Sequence, residues 1–179
     1  MRYAAIRSLD VTNGEGTGVS LFVQGCPFHC YQCFNPETWS FDGGKEWTDE
    51  TEERFIELAG RDYIKRISFL GGSPLCDMNV KEVSQIIQRM KCFYPNKTIW
   101  VYTGMTWEEI NSTIDSEKIT LIRKGLLNYI DVLVEGRFEY DKRDFALKFR
   151  GSSNQRIINV PKSLETGHVV LYYEDNQWK

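Results

Sequence analysis

An α/β fold with a mainly parallel sheet, opened out as a partial (βα) barrel, is what the sequence predicts. Three observations carry that reading. Short apolar runs alternate four times with stretches of helical periodicity, the pattern of right-handed βαβ units. Each run stops at a glycine or a polar-glycine loop, and such loops emerge together at the carboxyl edge of a parallel sheet, where ligands bind. Four units also fall short of the eight that close a barrel. A doubly wound sheet satisfies the same alternation, because strand order is not written in one sequence.

The elements follow in order. VSLFVQ (19–24) reads as a buried strand that stops at Gly25. Thr48 opens TDETEERFIELAG, where Phe55, Ile56 and Ala59 recur at helical spacing and Gly60 stands where a C-terminal cap belongs. RISFL (66–70) is a second strand, ending at Gly71 and Gly72. In the next helix Asn79 is the expected cap, Glu82 follows three residues later, and Val83, Ile86, Ile87 and Met90 form one apolar stripe, with Pro95 beyond the end. TIWVY (98–102) is a third strand, stopping at Thr103 and Gly104. Thr106 and Glu109 make a capping box, and a further helical stretch covers about 118–127. DVLVEG (131–136) is the fourth strand, with Asp131 as its solvated opening. After Arg137 the text is irregular, with two late strand-like runs, RIINV and HVVLYYE.

A chain of 179 residues is read as one domain over 1–179, with its core at about 10–158 and a C-terminal extension. Hydrophobic content of 41% and charged content of 26% are ordinary for a globular protein. A net charge of −3 without a Lys/Arg run argues against a nucleic-acid-binding face. No apolar stretch approaches the roughly 20 residues that span a membrane. The opening MRYAAIRSLDVTNGEG has neither an apolar signal region nor a cleavage site, so a soluble cytoplasmic protein is expected. Five cysteines, grouped three and two, favour metal or redox chemistry over a disulfide framework.

Three of the five lie in GCPFHCYQCFNPETW (25–39), where Cys26, Cys30 and Cys33 follow the spacing C-x3-C-x2-C. Thiolates are the natural ligands of iron–sulfur clusters, and a four-iron cubane normally uses four. Three leave one iron open to an exchangeable ligand, which is useful where a cluster must bind a substrate directly. Other readings of the same residues are a zinc knuckle drawing on His29, a closed electron-transfer cluster with Cys76 as fourth ligand, and three unligated buried thiols. Cys92, in the second helix, is read as a core thiol.

The C-x3-C-x2-C loop after a first strand, with a GG-x-P loop after the second, resembles the radical S-adenosylmethionine (SAM) enzymes. The resemblance implies an open partial barrel of the radical SAM type, with Cys26, Cys30 and Cys33 holding a [4Fe–4S] cluster and SAM chelating the open iron. Reductive cleavage of SAM would then give methionine and a 5′-deoxyadenosyl radical. Gly71, Gly72, Ser73 and Pro74 match the loop that meets the methionyl amino group, where glycines let backbone carbonyls approach an ammonium.

NGEGTGVSLFVQGC, CFNPETW, GGSPL, IWVYTG, DVLVEGRF and RGSSNQR, in this order over about 10–158, are similar to the activating proteins of anaerobic ribonucleotide reductase. That resemblance implies hydrogen abstraction from a glycine in the C-terminal region of the reductase large subunit, with a reductant protein such as flavodoxin as electron source. It places SAM contacts at Gln32, Cys33 and Phe34, while Thr103 and Glu135 sit at strand ends where a related activase family places polar groups near SAM or a cation. Arg137 and the segment 150–156 are candidates for SAM's carboxylate or the partner. The chain departs from the family pattern at Gly18, often Arg, at Gln32, often Gly, and at Ser73, usually an acid. Alternatives within the same chemistry are a pyruvate formate-lyase-type activase and another small radical SAM enzyme, such as a deazaguanine-forming synthase. A non-catalytic iron–sulfur electron carrier is the alternative from another class.

Overall fold

The computed structural model describes residues 1–112 and 116–173. In chain order β1 (Arg2–Asp10) runs antiparallel to β2 (Gly18–Val23), and β3 (Lys45–Glu46) adds to the outer side of β1. Then α1 (Asp49–Gly60) leads to β4 (Arg66–Gly71), α2 (Asp77–Phe93) to β5 (Thr98–Tyr102), and α3 (Trp107–Asn111) with α4 (Glu117–Leu127) to β6 (Val132–Glu135). An irregular segment precedes β7 (Arg156–Asn159) and α5 (Val160–Thr166).

All seven strands join one sheet in the order β3-β1-β2-β4-β5-β6-β7. Four of them, β2, β4, β5 and β6, are parallel, whereas β7 is antiparallel to β6. The parallel strands lie in chain order without a reversal, so right-handed crossovers deliver their helices to one face. A doubly wound sheet needs a reversal and is not what the chain forms. The sheet is mixed and open, with β3 and β7 as its edges.

The core sits between the sheet and the helices. Val19, Leu21, Val23, Ile67, Phe69, Ile99, Val101 and Leu133 project to that side and meet Phe55 of α1, the Val83, Ile86, Ile87 and Met90 stripe of α2, and Leu126 of α4. Alternation along each strand sends the intervening residues to the other face. There Trp100, Val132, Val134 and Ile157 form a smaller cluster with Tyr102, Phe149, Tyr172 and Tyr173. No helix among the described residues is long and apolar enough to cross a membrane.

Several elements differ from the sequence expectation. Nothing in the sequence pattern marked β1, because its residues are mostly half-exposed and show no clean alternation. Gly60 is the last helical residue and not a left-handed cap; the cap position is Arg61 at φ −59°. Tyr94 explains the glycine, since a Cβ at position 60 would sit 2.7 Å from its hydroxyl, which donates to the Ile56 carbonyl (2.8 Å). Asn79 does not cap α2. The helix starts two residues earlier with Cys76 at the cap position, and Asn79 is buried in its first turn. Thr106 and Glu109 do form both halves of the capping box on α3.

Cys92 is exposed, not a core thiol, because it is turned away from the Ile86, Ile87 and Met90 stripe. Asp131 is no solvated cap: it pairs with Lys91 (2.8 Å) and accepts from the Ile99 amide (2.6 Å). Of RIINV, Val160 belongs to α5, which Asn159 caps by accepting from the Lys162 amide. HVVLYYE forms no strand over its described residues beyond one bridge between Ile158 and Leu171, and its Glu174 lies outside the described residues.

Candidate active site

The cysteine loop is fastened at both ends. Gly25, at φ +95°, turns the chain out of β2, a conformation only glycine adopts without strain. Its amide donates to the Thr38 carbonyl (2.8 Å), and the Cys26 amide donates to that of Trp39 (3.0 Å). From the next loop the Gly72 amide donates to Val23 and the Ser73 amide to Gly25, both at 2.9 Å. A Cβ on Gly72 would collide with the Gly25 backbone, so the two loops are in direct main-chain contact. The buried Asn79 side chain ties them together from behind, donating its amide to the carbonyls of Gln24 (2.9 Å), Gly25 (3.3 Å) and Ser73 (3.1 Å).

Cys26, Cys30 and Cys33 line one cavity of about 690 Å³ at the carboxyl edge of the parallel strands. Phe34, Gly71, Gly72, Thr103 and Gly104 line it too, so most of the expected loops meet there. Phe22, Leu70, Tyr102 and Val134 form the sheet wall. Thr12 and Asn13 contribute from the turn between β1 and β2, and Phe138, Phe145, Phe149, Arg150 and Gln155 from the irregular segment before β7.

Other candidates stand apart. Ser73 and Pro74 are buried behind the glycine pair, with the Ser73 hydroxyl 3.2 Å from that of Thr103. Gln32 is exposed in a left-handed conformation (φ +56°), which accounts for the glycine expected there. Glu135 follows Val134 and so points to the opposite face. Its carboxylate accepts from the Trp107 amide (3.0 Å) and pairs with Arg156, and burial raises its pKa. His29 stacks on Trp39 (centroids 4.8 Å apart) and is not part of the cavity wall.

Cys76 lines a second cavity of about 440 Å³ with Phe41, Met78, Met105 and Arg137. Phe28 is common to both cavities, with Arg137 stacked over its ring at 4.6 Å. Neither Cys76, the candidate fourth ligand, nor Cys92 lines the cavity of the three.

Burial pushes the Cys26 and Cys30 thiols up, while backbone amides of Phe28 and His29 at Cys26, and of Phe138 at Cys30, favour the thiolates. The Asn35 amide donates to the Cys33 sulfur (3.4 Å). Among the described residues no three His, Cys, Asp or Glu side chains converge where one ion could be held. Three thiols around one cavity, each approached by a main-chain amide, could serve as a donor set for an iron–sulfur cluster, whose sulfurs take such hydrogen bonds.

Sequence reasoning did not find Thr12, Asn13, Tyr102 or the roof residues Phe138, Phe145 and Phe149, although its candidate segment 150–156 supplies Arg150 and Gln155 to that roof. Strand alternation would have placed Tyr102 on the face of Trp100, opposite Val101, but the roof has no period to read. The Tyr102 hydroxyl is buried with no hydrogen-bond partner among the described residues, and burial raises its pKa.

A family model described as a 4Fe-4S single cluster domain matches residues 12–158. The chain is 40% identical over 159 residues to a Vibrio cholerae protein named anaerobic ribonucleoside-triphosphate reductase-activating protein, covering 88% of this chain and 97% of that one. Proteins of the same name from Escherichia coli K12 and Enterobacteria phage T4 are 37% and 33% identical, each over 157 residues. Those matches cover 87% and 88% of this chain, and 96% and 93% of theirs.

Proposed function

The chain belongs to the family of anaerobic ribonucleoside-triphosphate reductase-activating proteins, and on that premise we propose that it is a radical SAM activase generating a glycyl radical on the reductase large subunit. The observation that carries the reading is the meeting of Cys26, Cys30 and Cys33 with Gly71 and Gly72 around one cavity. Its open sheet is then the partial barrel of the radical SAM type, and the single domain keeps its core at about 10–158.

Cys26, Cys30 and Cys33 would hold a [4Fe–4S] cluster with SAM beside it. When bound and reduced, by a protein such as flavodoxin, that group would supply the electron for the reductive cleavage of SAM to a hydrogen-abstracting radical. Gly71 and Gly72 bring main-chain carbonyls to the methionyl ammonium, braced by Ser73 and Pro74. The Ser73 hydroxyl engages Thr103, so a neutral pair stands where the family pattern has a carboxylate. Gln32 sets the turn before Cys33, and Phe34 closes the wall beside it. Phe22, Phe138 and Phe149 exclude water from a site where a radical must not be quenched. Glu135 acts from the far face by anchoring the start of α3 and Arg156.

The test is anaerobic. Protein reconstituted with iron and sulfide is reduced and mixed with SAM and a reductase large subunit, and its EPR spectrum is recorded. A glycyl-radical doublet requiring every component is expected. A cluster signal perturbed by SAM without a doublet would transfer the activity to another partner, and a cluster indifferent to SAM would leave an electron carrier. Cys26→Ala, Cys30→Ala or Cys33→Ala abolishes SAM cleavage, whereas Cys92→Ala retains it.

A further inference from the structure

Asp10, Gly18 and Arg66 stand in one row across three strands. Asp10 of β1 pairs with Gly18 of β2, and Gly18 pairs in turn with Arg66 of β4. Residues in register share a face, so an acid and a base are separated by a strand that offers no side chain between them. The guanidinium fills that gap: a Cβ on Gly18 would lie 2.6 Å from Arg66 Nη2.

Arg66 is wholly buried, at 0% exposure, and spends its donors on one short stretch of chain. Nη2 donates to the Asp10 carbonyl (2.7 Å) and lies 3.8 Å from its carboxylate. Nε donates to the Glu15 carbonyl (3.1 Å), and Nη1 to the Asn13 carbonyl and the Ser68 hydroxyl. Asp10 holds the same turn from its other side, accepting from the Thr12 amide (2.7 Å), the Asn13 amide (3.1 Å) and the Ser20 hydroxyl (2.6 Å). Thr12 and Asn13 then reach the cavity of the three cysteines.

We infer that Arg66 is a positioning residue for the cofactor cavity, and that its guanidinium can be delivered from position 18 or from position 66 provided the other is glycine. Neighbouring strands lie about 4.8 Å apart, within the reach of an arginine side chain, so either origin serves the same space. Two arginines would collide, and two glycines would leave the Glu15 carbonyl without this donor and the buried Asp10 carboxylate without its counter-charge. The effect on SAM rests on the function proposed above; the effect on the turn does not.

The test is a cycle of Gly18→Arg, Arg66→Gly and the double variant, with Arg66→Lys alongside. Thermal melting and amide hydrogen exchange of residues 11–17 read the turn; the SAM dependence of cleavage by the reconstituted protein reads the cavity. Each single variant is expected to melt about 10 °C lower and to lose exchange protection at 11–17. KM for SAM should rise about 10-fold or more, with a smaller fall in kcat. The double variant should recover most of both, and Arg66→Lys, which keeps charge without the fork, only part. Singles that do not fold beside a double variant that does would support the exchange. A double variant no better than the worse single, or protection at 11–17 unchanged in Arg66→Gly, would overturn it. Wild-type protein that fails to cleave SAM would remove the functional reading, while the melting and exchange data still judge the pair.

Discussion

Asn79 shows how much one buried amide can organise. Its nitrogen serves three carbonyls, two on the cysteine loop and one on the glycine loop. Asn79→Ala removes a donor from each of those carbonyls, of which Gly25 and Ser73 keep the amides of Ser73 and Cys76, and a loss of about 1–3 kcal/mol is expected in a denaturant melt. Iron bound per chain after reconstitution should fall with it, because the loops that carry Cys26 and Gly72 are no longer tied. Asn79→Asp should be worse than alanine, since a carboxylate would face three carbonyls. Asp10 gives a pH signature. Burial alone would raise its carboxyl, but hydrogen bonds from Ser20, Asn13 and Thr12 outweigh that and hold it well below the usual range. A depressed folded pKa contributes stability that is complete above the unfolded value of about 3.9 and lost as pH falls toward the folded one. The wild type should therefore lose stability below about pH 4 more steeply than Asp10→Asn, which is already weakened at neutral pH; equal acid limbs in the two melting profiles would contradict this.

The end of α1 turns a general rule around. Glycine inside a helix ordinarily costs about 1 kcal/mol relative to alanine, so Gly60→Ala would be chosen as a stabilising change. Here the added methyl meets the Tyr94 hydroxyl, and Gly60→Ala should lower stability by about 1–2 kcal/mol. Gly60→Ala with Tyr94→Phe should regain part of it in a double-mutant melting cycle. This glycine also shows where sequence reading stops. Its place at the end of α1 was legible, its reason was not, because Tyr94 comes from the far end of α2. The four parallel strands and most of the helices were legible from periodicity and glycine punctuation, since each segment buries one face locally. Two strands outside that alternation, β1 and β3, were not, because their burial depends on partners distant in sequence. The glycine and cysteine loops could be placed at one edge from the βαβ alternation alone, because the strands it predicts are parallel. That Glu135 turns away follows from alternation along β6, whereas Asn79 and Arg66 act through contacts that no local spacing encodes.

Considered whole, the molecule carries its candidate chemistry at an edge and its stability elsewhere. The larger apolar core lies on the helix side of the sheet and includes none of Cys26, Cys30 and Cys33. Removing iron with a chelator should therefore leave the far-ultraviolet circular dichroism essentially unchanged and lower the melting temperature by a few degrees; global unfolding on chelation would place the cluster among the folding determinants. The other face has a different history written into its connectivity. Its floor is assembled from scattered places, the turn after β1, four strand ends and three loops. Its roof is a single uninterrupted stretch, 136–155, whose ends are clamped where Glu135 pairs with Arg156. In the gene the first is dispersed and the second is one short interval. Recombination can therefore exchange the whole roof in a single event, while the floor beneath it must be inherited intact.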